Sequence, residues 1–264
     1  MPDQRDLHDP PAKSSLIIFG ATGLFLSIFF FQVYRAGIPG AVDWLVENLP
    51  AGIFEAVGEQ SIKTLSSSDW QPSALGSSRQ QHLRTLFMQN FMQNSDGSLK
   101  PPDTAIYFRY AKDYANAFAL PGGHIVLTDG LVHTLEDDAA IHAVFLHELG
   151  HVYHQHPEKS LVRSALFSLG FALLFGDLSA VSALLVEASG SAVSASYSRE
   201  DELEADQFAA KLLLLSSDST AALRLALTKL DTANEEEGLN WWRSHPLTRE
   251  RIVALEVLDQ IGSD

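Results

Sequence analysis

The sequence predicts an α+β fold, mostly helical with a small β-sheet, together with one N-terminal transmembrane helix. Three features lead to this prediction: an apolar run over residues 16–31, a group of short strand-like segments between residues 104 and 128, and helix-like segments on both sides of that group. A chain of 264 residues is long enough for one such domain and an appendage. We therefore expect a tail and an anchor, followed by a single domain over residues 41–264.

The N-terminal region separates into a polar tail and an apolar helix. Residues 1–15 are polar and include prolines, so we expect a disordered tail. Residues 16–34 carry no charged side chain, and as a helix they extend about 28 Å, close to the hydrocarbon thickness of a bilayer. A cleaved signal peptide is the alternative, but residues 32–36 form a poor cleavage site. The pattern favours an uncleaved anchor.

Charges beside this apolar run indicate how the anchor is oriented. Arg5 and Lys13 precede the run, and Arg35 follows it. Because the more basic flank of a span tends to stay in the cytoplasm, this slight bias predicts that the following domain lies on the non-cytoplasmic, periplasmic side of a membrane.

Helices and then strands follow the anchor. Apolar residues at helical spacing in 41–65 indicate a helix or a helix pair broken at Pro50, and residues 80–94 indicate a second amphipathic helix. A serine-rich connector, residues 66–78, separates the two. The composition of the next segments predicts strands, and a Pro-Gly-Gly turn lies between the last two of them; the strands are residues 104–110, 117–120 and 125–128.

A second apolar region lies at residues 161–186. A transmembrane span, a hairpin of two helices and an element at the membrane surface all fit its composition. Each half is too short to cross a bilayer, and Asp177 would be buried near the centre of such a span. We therefore expect a helical hairpin packed on the domain, and leave contact with the bilayer open.

The run His147-Glu148-Leu149-Gly150-His151 is the most informative motif of the chain. On a helix, residues i and i+4 lie on the same face, so the two histidines can bind one metal ion. Glu148 then lies beside that metal, where it can take a proton from the attacking water, an arrangement typical of zinc-dependent peptidases. The acidic residues 137–138 predict the start of this helix and Pro157 its end.

A metal site of this kind needs a third protein ligand. Helical spacing after residue 198 places Glu202 and Asp206 on one face, so that Glu202 can bind the metal while Asp206 accepts a hydrogen bond from a ligand histidine. Spacing alone does not choose between Glu200, Glu202 and Glu204. A solvated acidic helix start explains the same residues without a metal.

Four separate segments, in order and with matching spacing, resemble metallopeptidase family forty-eight, which includes the HtpX-like, BepA-like and CAAX prenyl endopeptidases. The similarity extends over about residues 50–255. The matching segments are residues 116–125 with 130–131, residues 147–156, residues 198–206 and residues 244–252.

The resemblance implies a zincin fold of the gluzincin type, with one Zn²⁺ per chain. It implies that His147, His151 and Glu202 are the metal ligands, that Glu148 is the general base, and that Asp206 fixes a ligand histidine. His156 matches the family pattern, and we expect it to close the C-terminus of the motif helix.

His245 is a further candidate within the last matching segment. Pro246 keeps it in an extended loop, from which it could reach the catalytic cleft. There it would hydrogen-bond the developing oxyanion or occupy the open metal position. The alternative is a structural loop histidine, since Arg251 and Ile252 of the same motif look structural.

The short strand at residues 117–120 is a candidate substrate-binding element. In a zincin, the edge of such a strand can bind an extended peptide by adding a strand to the sheet. An ordinary hairpin explains the same residues. The four candidates are Ala117, Phe118, Ala119 and Leu120.

Charge and cysteine content limit the function classes. A net charge of −15 argues against nucleic-acid binding, because phosphates require a basic surface. With no cysteine in the chain, a metal must be held by histidine and carboxylate. We thus expect a membrane-anchored zinc endopeptidase of protein or peptide substrates, and the resemblance extends this to misfolded envelope proteins in quality control. The alternative is a chaperone-like or adaptor protein with a self-inhibited metal site; oligomeric state is left open.

Overall fold

The fold is described from a computed structural model, which covers residues 12–32, 35, 37–66, 70–94, 103–111, 114–175, 197–217, 219–237, 244–246 and 249–261. Contacts divide the chain into a unit of residues 1–47 and a unit of residues 48–264. The helices are α1 (Ala12–Gln32), α2 (Ile38–Asn48), α3 (Ala51–Ser66), α4 (Ser77–Asn94), α5 (Asp129–Leu135), α6 (Asp138–Tyr153), α7 (His156–Phe175), α8 (Arg199–Ser217), α9 (Ala221–Glu237) and α10 (Arg249–Ile261).

The apolar N-terminal run forms helix α1, which begins at Ala12, inside the predicted tail of residues 1–15. The rest of that tail, residues 1–11, lies outside the described residues. Large apolar side chains of α1 are exposed, among them Ile17, Phe19 and Phe25. Within the part of the chain that the structure describes, no helix has both the length and the apolar character that a membrane crossing requires. Residues 16–32 of the predicted span are thus helical, and their role as a membrane anchor stays a prediction.

A four-stranded sheet forms one side of the second unit, in the order β1-β2-β4-β3. Strands β2 and β4 are parallel, and both other pairs are antiparallel, so β3 ends the sheet among the described residues. Three predicted strands are confirmed, while the two-residue β1 lies in the connector that was expected to be irregular. The strands are β1 (Gln71–Pro72), β2 (Ala105–Tyr110), β3 (Ala117–Leu120) and β4 (His124–Thr128).

The turn between β3 and β4 depends on two glycines. Gly122 and Gly123 have φ angles of +77° and +79°, which L side chains rarely adopt. A Cβ on Gly122 would also lie 2.6 Å from the Cα of Glu55 on α3. The predicted Pro-Gly-Gly turn is confirmed, and glycine is required there because helix α3 packs directly against its backbone.

Helix α6 is the centre of the hydrophobic core. Residues 140–152 of this helix are all buried, between the sheet on one side and helices α8 and α9 on the other. Alternate residues of β3 face opposite layers: Ala117 and Ala119 join the core around α6, and Phe118 and Leu120 pack with Ile62 and Leu65 of α3. The motif helix is therefore held on several sides, which fixes its side chains for the site.

The prediction that Pro157 ends helix α6 is wrong. Helix α6 ends at Tyr153, where the backbone N–H of His154 donates to the carbonyl of Gly150. Pro157 does not end it but lies in the first turn of α7, where the missing N–H has no helical acceptor to lose. Residues 161–175 form the second part of the continuous helix α7, and residues 176–186 of the predicted hairpin lie outside the described residues.

Candidate metal centre

Helix α6 brings the two histidines of the motif together. The carboxylate of Asp137 accepts hydrogen bonds from the N–H groups of Ala139 and Ala140 at 2.7 and 3.0 Å, which caps the start of the helix. One turn apart on the buried face, the Nε2 atoms of His147 and His151 lie 3.1 Å from each other. Both rings thus present a nitrogen to the same point.

Helix α8 crosses α6 closely enough to add a carboxylate to this point. A Cβ on Gly150 would lie 2.9 Å from the Cα of Ala205, so the absence of a side chain permits the approach. The Glu202 carboxylate lies 3.4 Å from His147 Nε2 and 3.5 Å from His151 Nε2. Glu202 is fully buried, whereas Glu200 and Glu204 are exposed, so the structure brings only Glu202 of the three candidates to the histidines.

Asp206 lies one turn further along α8, as predicted. Its Oδ1 atom is 3.0 Å from His147 Nδ1, the ring nitrogen that faces away from the other ligands. A hydrogen bond from Nδ1–H to this carboxylate leaves the Nε2 lone pair directed at the metal position. The spacing of Glu202 and Asp206 therefore gives both of the contacts expected from it.

His245 is buried among these groups. Its Nδ1 atom lies 2.9 Å from Glu202 and 3.3 Å from His147 Nε2, and its Nε2 atom lies 3.3 Å from Glu148. Potential ligand atoms of His147, His151, Glu202 and His245 all lie within 4.8 Å of one another. The structure therefore places this loop histidine within the group, and the choice between its two predicted roles stays open.

The geometry and the donor types fit zinc. Two ligands that each lie about 2.0–2.1 Å from a tetrahedral zinc are about 3.3 Å apart, close to the 3.1 Å between the two Nε2 atoms. Neutral imidazoles and a carboxylate are common ligands of catalytic zinc, and this chain contains no thiol that could compete. Burial also removes competing water from the donor atoms.

A buried arginine joins the two carboxylates, and the sequence did not reveal this role. Arg251 of α10 forms an ion pair with Glu202, with 2.6 Å between Nη1 and Oε2, and donates to Asp206 through Nε and Nη2 at 2.6 and 2.8 Å. All three side chains are buried. The arginine was expected to be structural because no sequence pattern links a residue to partners more than forty positions earlier.

The His151 ring contacts two further residues, His156 and Tyr197, and neither contact was predicted from the sequence. His156 was expected to close α6; it begins α7 instead, and its Nδ1 atom lies 2.9 Å from His151 Nδ1. Tyr197 stacks on the His151 ring at 3.9 Å between centroids, and its hydroxyl donates to the Ala119 carbonyl at 3.3 Å. Contacts between distant segments of this kind cannot be derived from local spacing.

Glu148 lies between the metal group and strand β3. Its carboxylate is fully buried and lies close to the backbone of Ala119. Burial raises the pKa of Glu148, and the nearby His245 and His147 only partly oppose this. Burial also tends to raise the pKa of Glu202, but the charges of His245 and Arg251 outweigh burial and hold this pKa well below the usual range. One carboxylate is thus suited to accept a proton, and the other stays ionised as a ligand.

A buried His-Glu-x-x-His helix, a glutamate from a second helix and a small sheet beside them define a metallopeptidase site of the gluzincin type. In agreement with this, the model of peptidase family M48 matches residues 77–259. The chain belongs to this family, whose metallopeptidases use zinc.

Three curated relatives carry metalloprotease names. The metalloprotease LoiP of Escherichia coli is 31% identical over 173 residues, which are 62% of this chain and 65% of LoiP. Escherichia coli YcaL, also named a metalloprotease, is 29% identical over 60% of this chain and 62% of its own length. The mitochondrial metalloendopeptidase OMA1 of Arabidopsis thaliana is 27% identical over 53% of this chain and 28% of its own length. The chain therefore spans less than two thirds of each of these relatives.

Proposed function

We propose that the protein is a zinc-dependent endopeptidase. The observation that supports this most is the position of the Glu148 carboxylate: it is buried, borne by the helix of the two candidate ligand histidines, and close to the backbone of β3. His147, His151 and Glu202 would hold the zinc, whose Lewis acidity would lower the pKa of water and polarise a peptide carbonyl. A base, a candidate metal site and a strand for the substrate are thus adjacent.

Proton transfer is the role of Glu148. Its raised pKa brings its basicity closer to neutral pH, where a general base is most effective. Glu148 takes the proton of the attacking water and then delivers it to the leaving amine. The negative charge of Asp206 holds the proton on His147 Nδ1 throughout, so this ligand keeps one tautomer.

The substrate is proposed to bind as an extended strand along β3, residues Ala117 to Leu120. This strand ends the sheet among the described residues, and the Ala119 carbonyl accepts a hydrogen bond from the Tyr197 hydroxyl, which lies outside the sheet. Peptides that pair with β3 would be read mainly through backbone hydrogen bonds. We therefore expect cleavage of unfolded segments with little dependence on sequence.

His245 is proposed to be the fourth ligand of the resting site. Its Nδ1 atom faces Glu202 and His147, while its Nε2 atom faces the general base. A histidine at this position would compete with water for the metal and must withdraw before catalysis. The same arrangement is compatible with the second candidate function, a client-binding protein with a self-inhibited metal site.

Cleavage of an unfolded test protein separates these two functions. We expect the zinc-loaded protein to cleave it, a chelator to stop the reaction, and added zinc to restore it. Glu148→Gln should retain about one zinc per chain and lose cleavage by at least about 100-fold, since only the proton acceptor changes. Binding of the unfolded protein without any cleavage by the wild-type chain would favour the adaptor function.

Location and physiological role are separate proposals. We propose that residues 16–34 attach the protein to a membrane and that the peptidase unit lies on the non-cytoplasmic side, where it removes misfolded envelope proteins. The exposed apolar side chains of α1 and the charges beside it support attachment. Extraction with alkaline carbonate should leave the full chain with the membrane fraction, and a reporter after Asp264 should be active only outside the cytoplasm. A fully extracted chain would refute the attachment.

A further inference from the structure

The second metal-binding histidine has a hydrogen-bond partner of an unusual kind. His147 contacts a carboxylate behind its ring, the usual partner of a ligand histidine. Behind His151 lies the ring of His156, with the two Nδ1 atoms 2.9 Å apart. His156 is only 2% exposed, and it is the first residue of α7.

The direction of each hydrogen bond in this contact follows from the site. The Nε2 atom of His151 faces the Nε2 atom of His147 and the Glu202 carboxylate, so it must keep its lone pair for the metal. The hydrogen of a neutral His151 ring is then on Nδ1 and is donated to Nδ1 of His156. His156 must accept through Nδ1, and its own hydrogen is on Nε2.

The Nε2–H group of His156 has hydrogen-bond acceptors close to it. His156 Nε2 lies 3.1 Å from the Glu204 carboxylate and 3.5 Å from that of Asp201. Both residues belong to α8, the helix that supplies the ligand Glu202. Two carboxylates thus hold the hydrogen of His156 on Nε2, and they leave its Nδ1 as an acceptor.

We propose that His156 is a positioning residue, which fixes the tautomer and the ring orientation of the metal ligand His151 and is itself oriented by Glu204 and Asp201. Helix α8 then orients both ligand histidines of α6: directly through Asp206 at His147, and through His156 at His151. The proposal rests on the zinc site of the proposed function and is independent of which substrate is cleaved. The first residue of α7 thereby becomes part of the metal site.

Zinc affinity tests this proposal. Competition with a chromophoric chelator should show that His156→Leu weakens zinc binding about 10–100-fold, the effect expected for loss of such a partner. His156→Asn places an acceptor oxygen near the position of Nδ1 and should restore most of the affinity. His154→Leu is the matched control, because His154 also lies beside Glu204, at 3.7 Å, and should bind zinc like the wild type.

A spectroscopic measurement distinguishes positioning from general packing. In the zinc-loaded protein, long-range ¹H–¹⁵N correlation should report a hydrogen on Nδ1 of His151 in the wild type and in His156→Asn. The melting temperature of the zinc-free His156→Leu variant provides a measure of packing alone. If that variant is too unstable to purify, Glu204→Leu with Asp201→Leu removes the outer acceptors from the surface side and should weaken zinc binding in the same direction.

Several results would overturn the proposal. Unchanged zinc affinity in His156→Leu, an equal loss in His154→Leu, or a hydrogen on Nε2 of His151 each contradicts it. A wild-type chain that binds zinc with the expected tautomer yet cleaves no protein would refute the proposed function and leave this inference intact. If the wild-type chain cleaves normally while His156→Leu binds zinc unchanged, this inference is refuted and the proposed function stands.

Discussion

Removal of the Arg251 guanidinium should destabilise the zinc-free protein more than almost any other single change. This side chain makes three short contacts to Glu202 and Asp206, and all three groups are buried. Arg251→Leu leaves two buried carboxylates without their cation, and breaking a buried ion pair from one side costs about 3–5 kcal/mol. In a unit of this size, about 2–4 °C of melting temperature is lost per kcal/mol, so we expect a decrease of roughly 6–20 °C.

Bound zinc should reduce the loss of stability that Arg251→Leu causes. When the metal is bound to Glu202, its positive charge replaces part of the charge that Arg251 supplied, so the difference between the variant and the wild type should be smaller in excess zinc. The stability of Arg251→Lys should lie between those of Arg251→Leu and the wild type, because an ammonium keeps the charge and cannot reproduce the planar contacts to two carboxylates. The assay is thermal unfolding followed by circular dichroism, with and without zinc.

An exposed ion pair provides the matched control. Arg199 contacts Glu250 at the surface, with both side chains about half exposed, and such pairs contribute no more than about 1 kcal/mol. Arg199→Leu should therefore unfold almost like the wild type. If Arg251→Leu lost no more stability than this control, the buried arginine would not be what balances the two carboxylates.

Three further predictions concern single side chains. Tyr197→Phe removes the hydroxyl that donates to the Ala119 carbonyl and keeps the ring on His151. Because this carbonyl belongs to the proposed substrate-binding strand and loses a competing partner, the KM of peptide cleavage should fall while the zinc content stays constant. A lower kcat at unchanged KM would instead show that the hydroxyl acts in the transition state. His245→Ala should raise basal proteolysis, because it removes the proposed fourth ligand of the resting site; a lower rate without zinc loss would instead show that His245 stabilises the oxyanion. Burial of His142 lowers its pKa from 6.5 to about 4, so the unfolded state takes up this proton first as the pH falls. Stability from this group is complete above pH 6.5 and decreases toward pH 4 by about 3 kcal/mol, at about 1.4 kcal/mol per pH unit. Urea unfolding of the zinc-free protein should show a shallower pH dependence in His142→Gln, and equal slopes would contradict this assignment.

Local pattern predicted the parts of the site that lie on one element. The spacing of His147 and His151, and that of Glu202 and Asp206, each describe one face of one helix, and the structure has both faces as expected. The strand at residues 117–120 was predictable because a Pro-Gly-Gly turn follows it and only glycine fits the positive φ angles there.

Contacts between elements were not predictable in the same way. A proline after a helix and a proline in the first turn of the next helix look alike in sequence, which is why Pro157 and His156 were assigned to the wrong helix. Arg251 lies 45 residues from Asp206 and was assigned a structural role, since its partners depend on how α10 packs against α8. The choice of Glu202 over its neighbours came from the family resemblance, and the burial of Glu202 agrees with it.

Anomalous X-ray diffraction at the zinc edge, from crystals of the zinc-loaded protein, tests the metal centre most directly. We expect one strong peak about 2.0–2.2 Å from His147 Nε2, His151 Nε2 and a Glu202 oxygen, with Glu148 beside it and not bound to it. A peak ligated by Glu200 or Glu204, or no zinc between the two histidines, would refute the proposed metal centre.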